Sequence, residues 1–226
     1  MELLSVNLGR ATASEHTDNP SGMTGIGKIP AQGPVEVREP GPSGTGGSGL
    51  VGDDVCDLRH HGGTRQAVYA YAREDLDRWE EELGRPLRSG EFGENFTTAG
   101  LDVNEARLGE RWRVGADLVL EVTASRIPCR TFAGALDEKQ WVKRFTQAVV
   151  PGAYLRVVEP GAVRAGDPIE VVHRPSHEVT VAMHFQAYTL RRELLPRLLE
   201  AGDVLSPYTR EKALAYLEQQ GGTAEK

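Results

Sequence analysis

Trp112-Arg113-Val114-Gly115-Ala116-Asp117-Leu118-Val119-Leu120-Glu121-Val122-Thr123 reads as two strands joined by a tight turn. Leu118, Leu120 and Val122 share one sheet face and Val119, Glu121 and Thr123 the other, because successive side chains of a strand point to opposite sides. Gly115, Ala116 and Asp117 supply the turn of a hairpin. Working outward, residues 3–8, 34–38, 67–71, 154–158 and 169–172 are further short strand-like runs. Many short strands punctuated by Gly and Pro predict a mainly β (α+β) domain, built as a barrel or sandwich. The Gly/Ser-rich stretch 40–49 lies between strand-like segments, so it reads as a mobile loop and not a linker.

Two helices interrupt the strands. Leu76, Trp79 and Leu83 recur at i, i+3 and i+7 in an acidic segment that stops at Gly84, with Pro86 just beyond. Trp141, Phe145 and Ala148 form a second stripe. The neighbouring Lys139, Lys143 and Arg144 read as a solvated helix face, with Lys143 and Arg144 as the alternative partners of a phosphate. After residues 173–176 the apolar period changes from two to 3.6, as in Val181, Phe185 and Tyr188, then Leu190, Leu194 and Leu198, then Ala213, Tyr216 and Leu217. Ser206-Pro207 reads as an N-cap followed by proline at the first helical position. The expected division is a β domain over residues 1–174 and a three-helix extension over residues 175–226. Such short helices bury little by themselves, so they are expected to pack on the β domain or on a partner chain, which allows a homo-oligomer.

The 26 Lys and Arg residues against 33 Asp and Glu give a net charge of −7, which argues against a general nucleic-acid binder. No stretch is apolar enough to span a bilayer, and residues 1–7 lack the basic and apolar regions of a signal peptide. A cytoplasmic protein with reduced thiols and no membrane contact is therefore expected. Of its two cysteines, Cys129 lies in Ser125-Arg126-Ile127-Pro128-Cys129-Arg130-Thr131, between two arginines that favour the thiolate. A thiolate is a nucleophile or a soft metal ligand. Two cysteines cannot form a four-thiolate zinc or iron–sulfur site, so a metal held here draws its other ligands from elsewhere. Cys56 reads as a small packed hydrophobe.

His60-His61-Gly62-Gly63 precedes the strand-like Ala67-Val68-Tyr69-Ala70-Tyr71. Adjacent histidines in an extended segment point to opposite faces, which favours a structural pair over a shared metal site. Gly62-Gly63 allows close backbone approach to a ligand, or simply a tight turn. In Gly90-Glu91-Phe92-Gly93-Glu94-Asn95-Phe96-Thr97-Thr98, Asn95 and the threonines offer uncharged hydrogen-bonding groups. Glu94 is either a ligand-reading carboxylate or an ion-pair partner.

The histidine–glycine segment with its strand, then Gly93-Glu94-Asn95-Phe96, then Arg126-Ile127-Pro128-Cys129, together resemble the MOSC domain, named for the C-terminal domain of molybdenum-cofactor sulfurases. Ser5-Val6-Asn7-Leu8-Gly9 and Gly25-Ile26-Gly27-Lys28 fit the same pattern, and the tail from Val179-Thr180-Val181-Ala182 is similar to the extension of stand-alone bacterial proteins of the YiiM type. The resemblance implies a closed, mostly antiparallel β-barrel with a pocket for the pterin-based molybdenum cofactor, Cys129 being the protein ligand to molybdenum. Thr64-Arg65-Gln66 departs from it by placing a basic residue where relatives carry an acidic or at least non-basic one.

The implied activity is reduction of N-hydroxylated compounds such as hydroxylaminopurines and amidoximes, with electrons from a separate reductase or carrier. Arg126 and Arg130 would hold the thiolate or bind cofactor oxygens, with surface ion pairs as the alternative, and His61, Gly62, Gly63, Asn95 and Thr97 would line the cofactor pocket. Two other classes stay open: a cofactor or sulfur carrier without turnover, and a cysteine hydrolase with His60 or His61 as base.

Overall fold

The alternation around Leu118 separates two kinds of surroundings, and the rest of the fold follows from that separation. The computed structural model describes residues 1–221. Its strands are β1 (Glu2–Gly9), β2 (Thr12–Ala13), β3 (Met23–Thr24), β4 (Lys28–Pro30), β5 (Val35–Val37), β6 (Val68–Ala72), β7 (Phe96–Ala99), β8 (Arg111–Val114), β9 (Leu118–Ser125), β10 (Ala153–Glu159), β11 (Gly161–Val163) and β12 (Ile169–His173). The helices are α1 (Arg73–Leu83), α2 (Arg130–Leu136), α3 (Trp141–Ala148), α4 (Val181–Thr189) and α5 (Pro207–Gly221).

Eight strands form one sheet in the order β12-β8-β9-β10-β6-β7-β1-β4. The predicted hairpin is β8 against β9, with Trp112 opposite Leu120. One pair departs from the antiparallel expectation: β6 and β7 run parallel, as their connection through α1 requires. Continuous pairing does not close the sheet into the expected barrel. Where it curls back on itself, β1 meets the start of β12 through an isolated Glu2–Pro168 bridge, with Leu3 N–H donating to Asp167 O at 2.9 Å and Ile169 N–H to Met1 O at 2.9 Å. Pro168 brings no N–H to this seam, so a full ladder cannot form there.

Strand β6 shows how the period of two builds two cores. Val68, Ala70 and Ala72 face an aliphatic interior that also holds Leu118, Leu120, Val122 and Leu155. Tyr69 and Tyr71 face the other way, into an aromatic cluster with Trp79 of α1, Phe92, Phe132 of α2, and Trp141 and Phe145 of α3. Ring centroids lie 4.7 Å apart for Trp79–Trp141 and 5.2 Å for Phe92–Phe132, the latter edge-to-face. Such pairs add about 0.5–1.5 kcal/mol each to the stabilisation from burial. The cluster presses α2, and the residue that caps it, against the sheet. Helix α1 ends as expected, with Gly84 left-handed (φ 67°) and its N–H on Glu80 O.

Residues 40–49 are not the free loop their composition suggests. Gly49 N–H donates to Ala67 O at 2.7 Å, Gly63 N–H to Gly47 O at 2.9 Å and Thr64 N–H to Gly41 O at 2.7 Å. Gly62 has φ 79°, and a Cβ there would stand 2.7 Å from Gly47 O, so this turn admits only glycine.

In the tail, α5 starts as predicted at Pro207, with Ser206 Oγ accepting from Thr209 N–H at 3.0 Å. The expected middle helix is instead 3-10 in form over Arg192–Val204, because it contains Pro196 and breaks at Gly202 (φ 58°). Val181, Leu195, Leu198 and Ala213 join the same aliphatic core as the sheet. His184 of α4 is buried, its Nδ1 2.8 Å from Ser125 Oγ at the end of β9. Burial, and then the positive charge of Arg65, push its pKa down to about 4.

His184 is thus neutral when folded and takes up a proton in the unfolded chain below about pH 6.5, so the unfolded state binds more protons and stability falls as pH drops from there toward 4. Denaturant titrations between pH 7 and pH 4 should show a loss on the order of 2–3 kcal/mol from this group. His184→Gln should flatten that segment of the curve, and an unchanged slope would remove His184 as its source.

Candidate functional site

Cys129 is placed by a strand that ends and a helix that begins. β9 delivers Ser125, Pro128 prevents any helix from starting earlier, and Cys129 stands in extended geometry (φ −121°, ψ 171°) as the N-cap of α2. Burial alone would raise the pKa of its thiol. The hydrogen bond with His61, the charge of Arg126 and the backbone N–H of Phe132 outweigh it and bring the pKa down to about 7. Cys56 goes the other way, raised by burial and by the charge of Asp54. Both cysteines are free.

Arg126 is buried, and no carboxylate lies within ion-pair distance of it among the described residues. Its guanidinium carbon stands 3.7 Å from the centre of the Phe132 ring and 5.0 Å from that of Tyr69, and it donates to Phe92 O. Burial works against its charge, and Tyr69, Tyr154 and Cys129 more than compensate, so its pKa is raised.

Two cavities meet at Cys129. The inner one, of about 130 Å³, is bounded by Arg126, Asn95, Gly62, Tyr69 and Lys28, and also by Cys56. The outer one, of about 490 Å³, opens past Ser125, Ile127, Pro128, Arg130 and Tyr208. His61, Gln66 and Tyr154 border both. The Gln66 Oε1 atom is buried without a hydrogen-bond partner.

The structure brings together His61, Gly62, Asn95, Arg126 and Cys129, and it separates others from the expected group. Thr97 is fully buried away from both cavities, its hydroxyl donating to Glu94 Oε1 at 2.9 Å and accepting from Asn7 Nδ2 at 3.1 Å. Gly63 lies behind Gly62, packed on the backbone of Ser43. Arg130 borders only the outer cavity and pairs with Asp18 at 2.8 Å in an exposed position. Lys143 and Arg144 lie on α3 outside both cavities, Arg144 bound to Glu82 at 2.8 Å. They are not placed to hold a phosphate there.

Glu94 forms no ion pair among the described residues and is turned to the backbone. Its carboxylate accepts the backbone N–H groups of Gly90 at 2.5 Å and Phe92 at 3.1 Å, which staples the loop before β7. Asn95 is largely occupied by structural bonds, donating to Asp53 Oδ2 at 2.8 Å and accepting from Tyr69 N–H at 3.1 Å. Asp53 also binds Lys28 and accepts from Gly9 N–H at 2.6 Å. Sequence reasoning did not find Lys28, Asp53, Gln66 or Tyr154. Tyr154 carried a signal, since it alternates with the buried Ala153 and Leu155, whereas Asp53 sits in a loop without periodicity.

Among the described residues no group of three His, Cys, Asp or Glu side chains is arranged to hold a metal ion, and no helix is long and apolar enough to cross a membrane. Alkylation with iodoacetamide across a pH series should give Cys129 a midpoint near pH 7 and leave Cys56 slow until well above it. Arg126→Met should move the Cys129 midpoint upward. Identical profiles for the two cysteines would contradict the assignment.

The MOSC domain family matches residues 57–170. Protein YflK of Bacillus subtilis, an uncharacterized protein, is 35% identical over 179 residues, covering 79% of this chain and 76% of YflK. A protein named Reductase from Gibberella moniliformis is 29% identical over 140 residues, covering 60% of this chain and 24% of that longer protein. The crystal structure of YiiM from Geobacillus stearothermophilus, 26% identical, superposes with a TM-score of 0.74 over 95% of this chain and 97% of its own. The matched span contains the Cys129 thiol, its hydrogen-bond partner His61 and the buried Arg126, and the chain belongs to the MOSC domain family.

Proposed function

We propose that the protein binds the pterin-based molybdenum cofactor in the cleft where the two cavities meet, with Cys129 as its protein ligand, and reduces N-hydroxylated compounds. The observation that carries this is the thiolate-prone Cys129, held by a buried guanidinium that lacks a carboxylate, at the junction of two cavities. The residues suit the cofactor. Cys129 would supply a single soft thiolate to a metal whose other sulfur ligands come from the pterin dithiolene. The unpartnered Gln66 Oε1 and the Asp54 carboxylate border the cavity and would accept N–H donors of the kind a pterin carries. Once bound, the cofactor supplies a two-electron centre that can accept oxygen from an N–O bond.

The chain's own part is binding and proton control. His61 and then the charge of Arg126 lower the Cys129 pKa to about 7, which makes the thiolate available near neutral pH. Burial raises the pKa of Tyr154, so its hydroxyl keeps its proton beside the site. The net reaction turns R–NHOH, two electrons and two protons into R–NH2 and water. Two cysteines are too few for an iron–sulfur cluster, so the electrons come from a separate reductase or carrier. The likeness to a fungal protein named Reductase supports redox chemistry. A cytoplasmic setting belongs to the same reading. The Cys129–His61 hydrogen bond also favours a second reading, a thiol hydrolase.

Protein loaded with molybdenum cofactor and given an artificial electron donor should reduce benzamidoxime or 6-hydroxylaminopurine. Cys129→Ala should abolish turnover and lower the molybdenum content with the circular dichroism unchanged, whereas Cys56→Ser should retain both. Activity that survives removal of molybdenum would move the weight to the hydrolase, and loaded protein inert toward all N-hydroxylated compounds would favour a carrier.

A further inference from the structure

One stretch of chain walls both cavities without belonging to either core. The hairpin of β2 and β3 brings Thr17, Met23 and Thr24 to the inner cavity and Asp18 to the outer one. Each of its strands is two residues long, and they pair only Thr12 with Thr24 and Ala13 with Met23. None of residues 10–24 is buried. A segment with so few buried apolar contacts opens at low cost, whatever the stability of the domain that carries it.

The base and the tip of this hairpin are held in different ways. At the base a Cβ on Gly9 would overlap Gly25 O, so the two ends of the segment meet backbone to backbone. Asp54 fastens the outgoing side, its N–H donating to Gly9 O at 3.0 Å and its Oδ2 accepting from Ala11 N–H at 2.9 Å. The tip is fastened by polar groups near the surface. Arg130 donates to Asp18 Oδ1 at 2.8 Å and to Glu15 O at 3.3 Å, the Arg130 side chain being 61% and that of Asp18 71% exposed. Arg59 donates to Asp18 O at 3.1 Å, and Asn19 Nδ2 to Cys56 O at 2.8 Å. A pinned base with a tip held by exposed polar contacts makes a hinged flap, because such contacts are weak and easily exchanged for water.

Gly134 points the same way. It lies inside α2, needs no left-handed backbone there, and as a glycine only weakens the helix. A Cβ at this position would overlap the His16 ring, so the glycine is what allows the tip to lie against the helix that Cys129 caps. Arg130 and Gly134 are thus two separate features of α2 that serve a segment more than a hundred residues away in the chain.

We infer that the β2–β3 hairpin is a lid over the two cavities, latched to the first turn of α2 through Arg130 and Asp18, which opens to admit the bound group and closes to retain it. That the group is the molybdenum cofactor rests on the reading proposed above, whereas the motion of the lid does not. Arg130 is then a positioning residue. The Cys129 pKa is lowered by His61, Arg126 and the Phe132 N–H, while Arg130 holds the wall beside it.

Limited digestion with endoproteinase Glu-C, followed by mass spectrometry, measures the open population through the cut after Glu15. Arg130→Ala should speed that cut about threefold, the effect of losing one exposed ion pair. Gly134→Ala should speed it as well, with α2 still helical, and Arg130→Lys should stay near the unaltered rate. Circular dichroism and the Cys129 alkylation midpoint should be the same throughout. Loading with molybdenum cofactor should slow the cut, and loaded Arg130→Ala should lose molybdenum on dialysis about threefold faster than the loaded unaltered protein. Equal cleavage of Arg130→Ala, Gly134→Ala and the unaltered protein, or equal retention of molybdenum, would overturn the lid. Faster cleavage of both variants in a protein that takes up no molybdenum cofactor would uphold the lid and overturn the cofactor reading.

Discussion

The guanidinium of Arg126 and the sulfur of Cys129 form the pairing around which the rest is arranged. A buried cation without an anion is strongly disfavoured, by several kcal/mol even after relaxation. Arg126 has no carboxylate, so its charge is balanced by the faces of Phe132 and Tyr69, the carbonyl of Phe92 and the thiolate itself. Each partner comes from a different element. Tyr69 requires β6, Phe132 requires α2, and Phe92 requires the loop stapled by Glu94. The aromatic cluster that looks like ordinary core therefore also holds the guanidinium whose charge helps to lower the pKa of Cys129.

The far side of the inner cavity is built on a different principle. Lys28, Asp53, Asn95 and Asn7 come from separate segments and satisfy one another in a buried polar network. Such a network adds little net stability, but every wrong arrangement leaves a buried group unpaired. It thereby fixes the register of loops that have no periodicity of their own. Close backbone contact does the rest: a Cβ on Gly25 would stand 2.0 Å from Asp54 O, so the segment before β4 and the loop bearing Asp53 pack at glycine distance.

What the sequence made legible follows from this contrast. Strand β9, helix α1 and the start of α5 each depend on a local pattern: alternation at Leu118–Leu120–Val122, a stripe ended by Gly84, and the Ser206-Pro207 cap. Cys129 was legible because its charged neighbours adjoin it in the chain. Thr97 and Asn95 look identical in kind to a sequence reader, two polar groups in one motif. Only the third dimension shows that Asn95 borders the cavity while Thr97 is consumed by Glu94 and Asn7. Arg130 shows the complementary case: adjacency in sequence to Cys129 puts it at the edge of the outer cavity, in the exposed ion pair with Asp18 that its alternative reading allowed. Asp53, Lys28 and Gln66 meet only through tertiary structure.

Arg65 shows how the tail and the site are joined. It stands where the resemblance leads one to expect an acidic or non-basic residue, and here its guanidinium donates to Val204 O at the end of the 3-10 segment. Its own carbonyl accepts from Thr123 Oγ1 at 2.5 Å, and it lies directly between Gly62-Gly63 and Gln66. One side chain thus anchors the cavity-lining turn to the tail, while His184, on the adjacent helix, anchors the tail to the end of β9. These two polar attachments add to the apolar packing of Val181, Leu195, Leu198 and Ala213 on the sheet, and a shift of the tail would strip each of its partner.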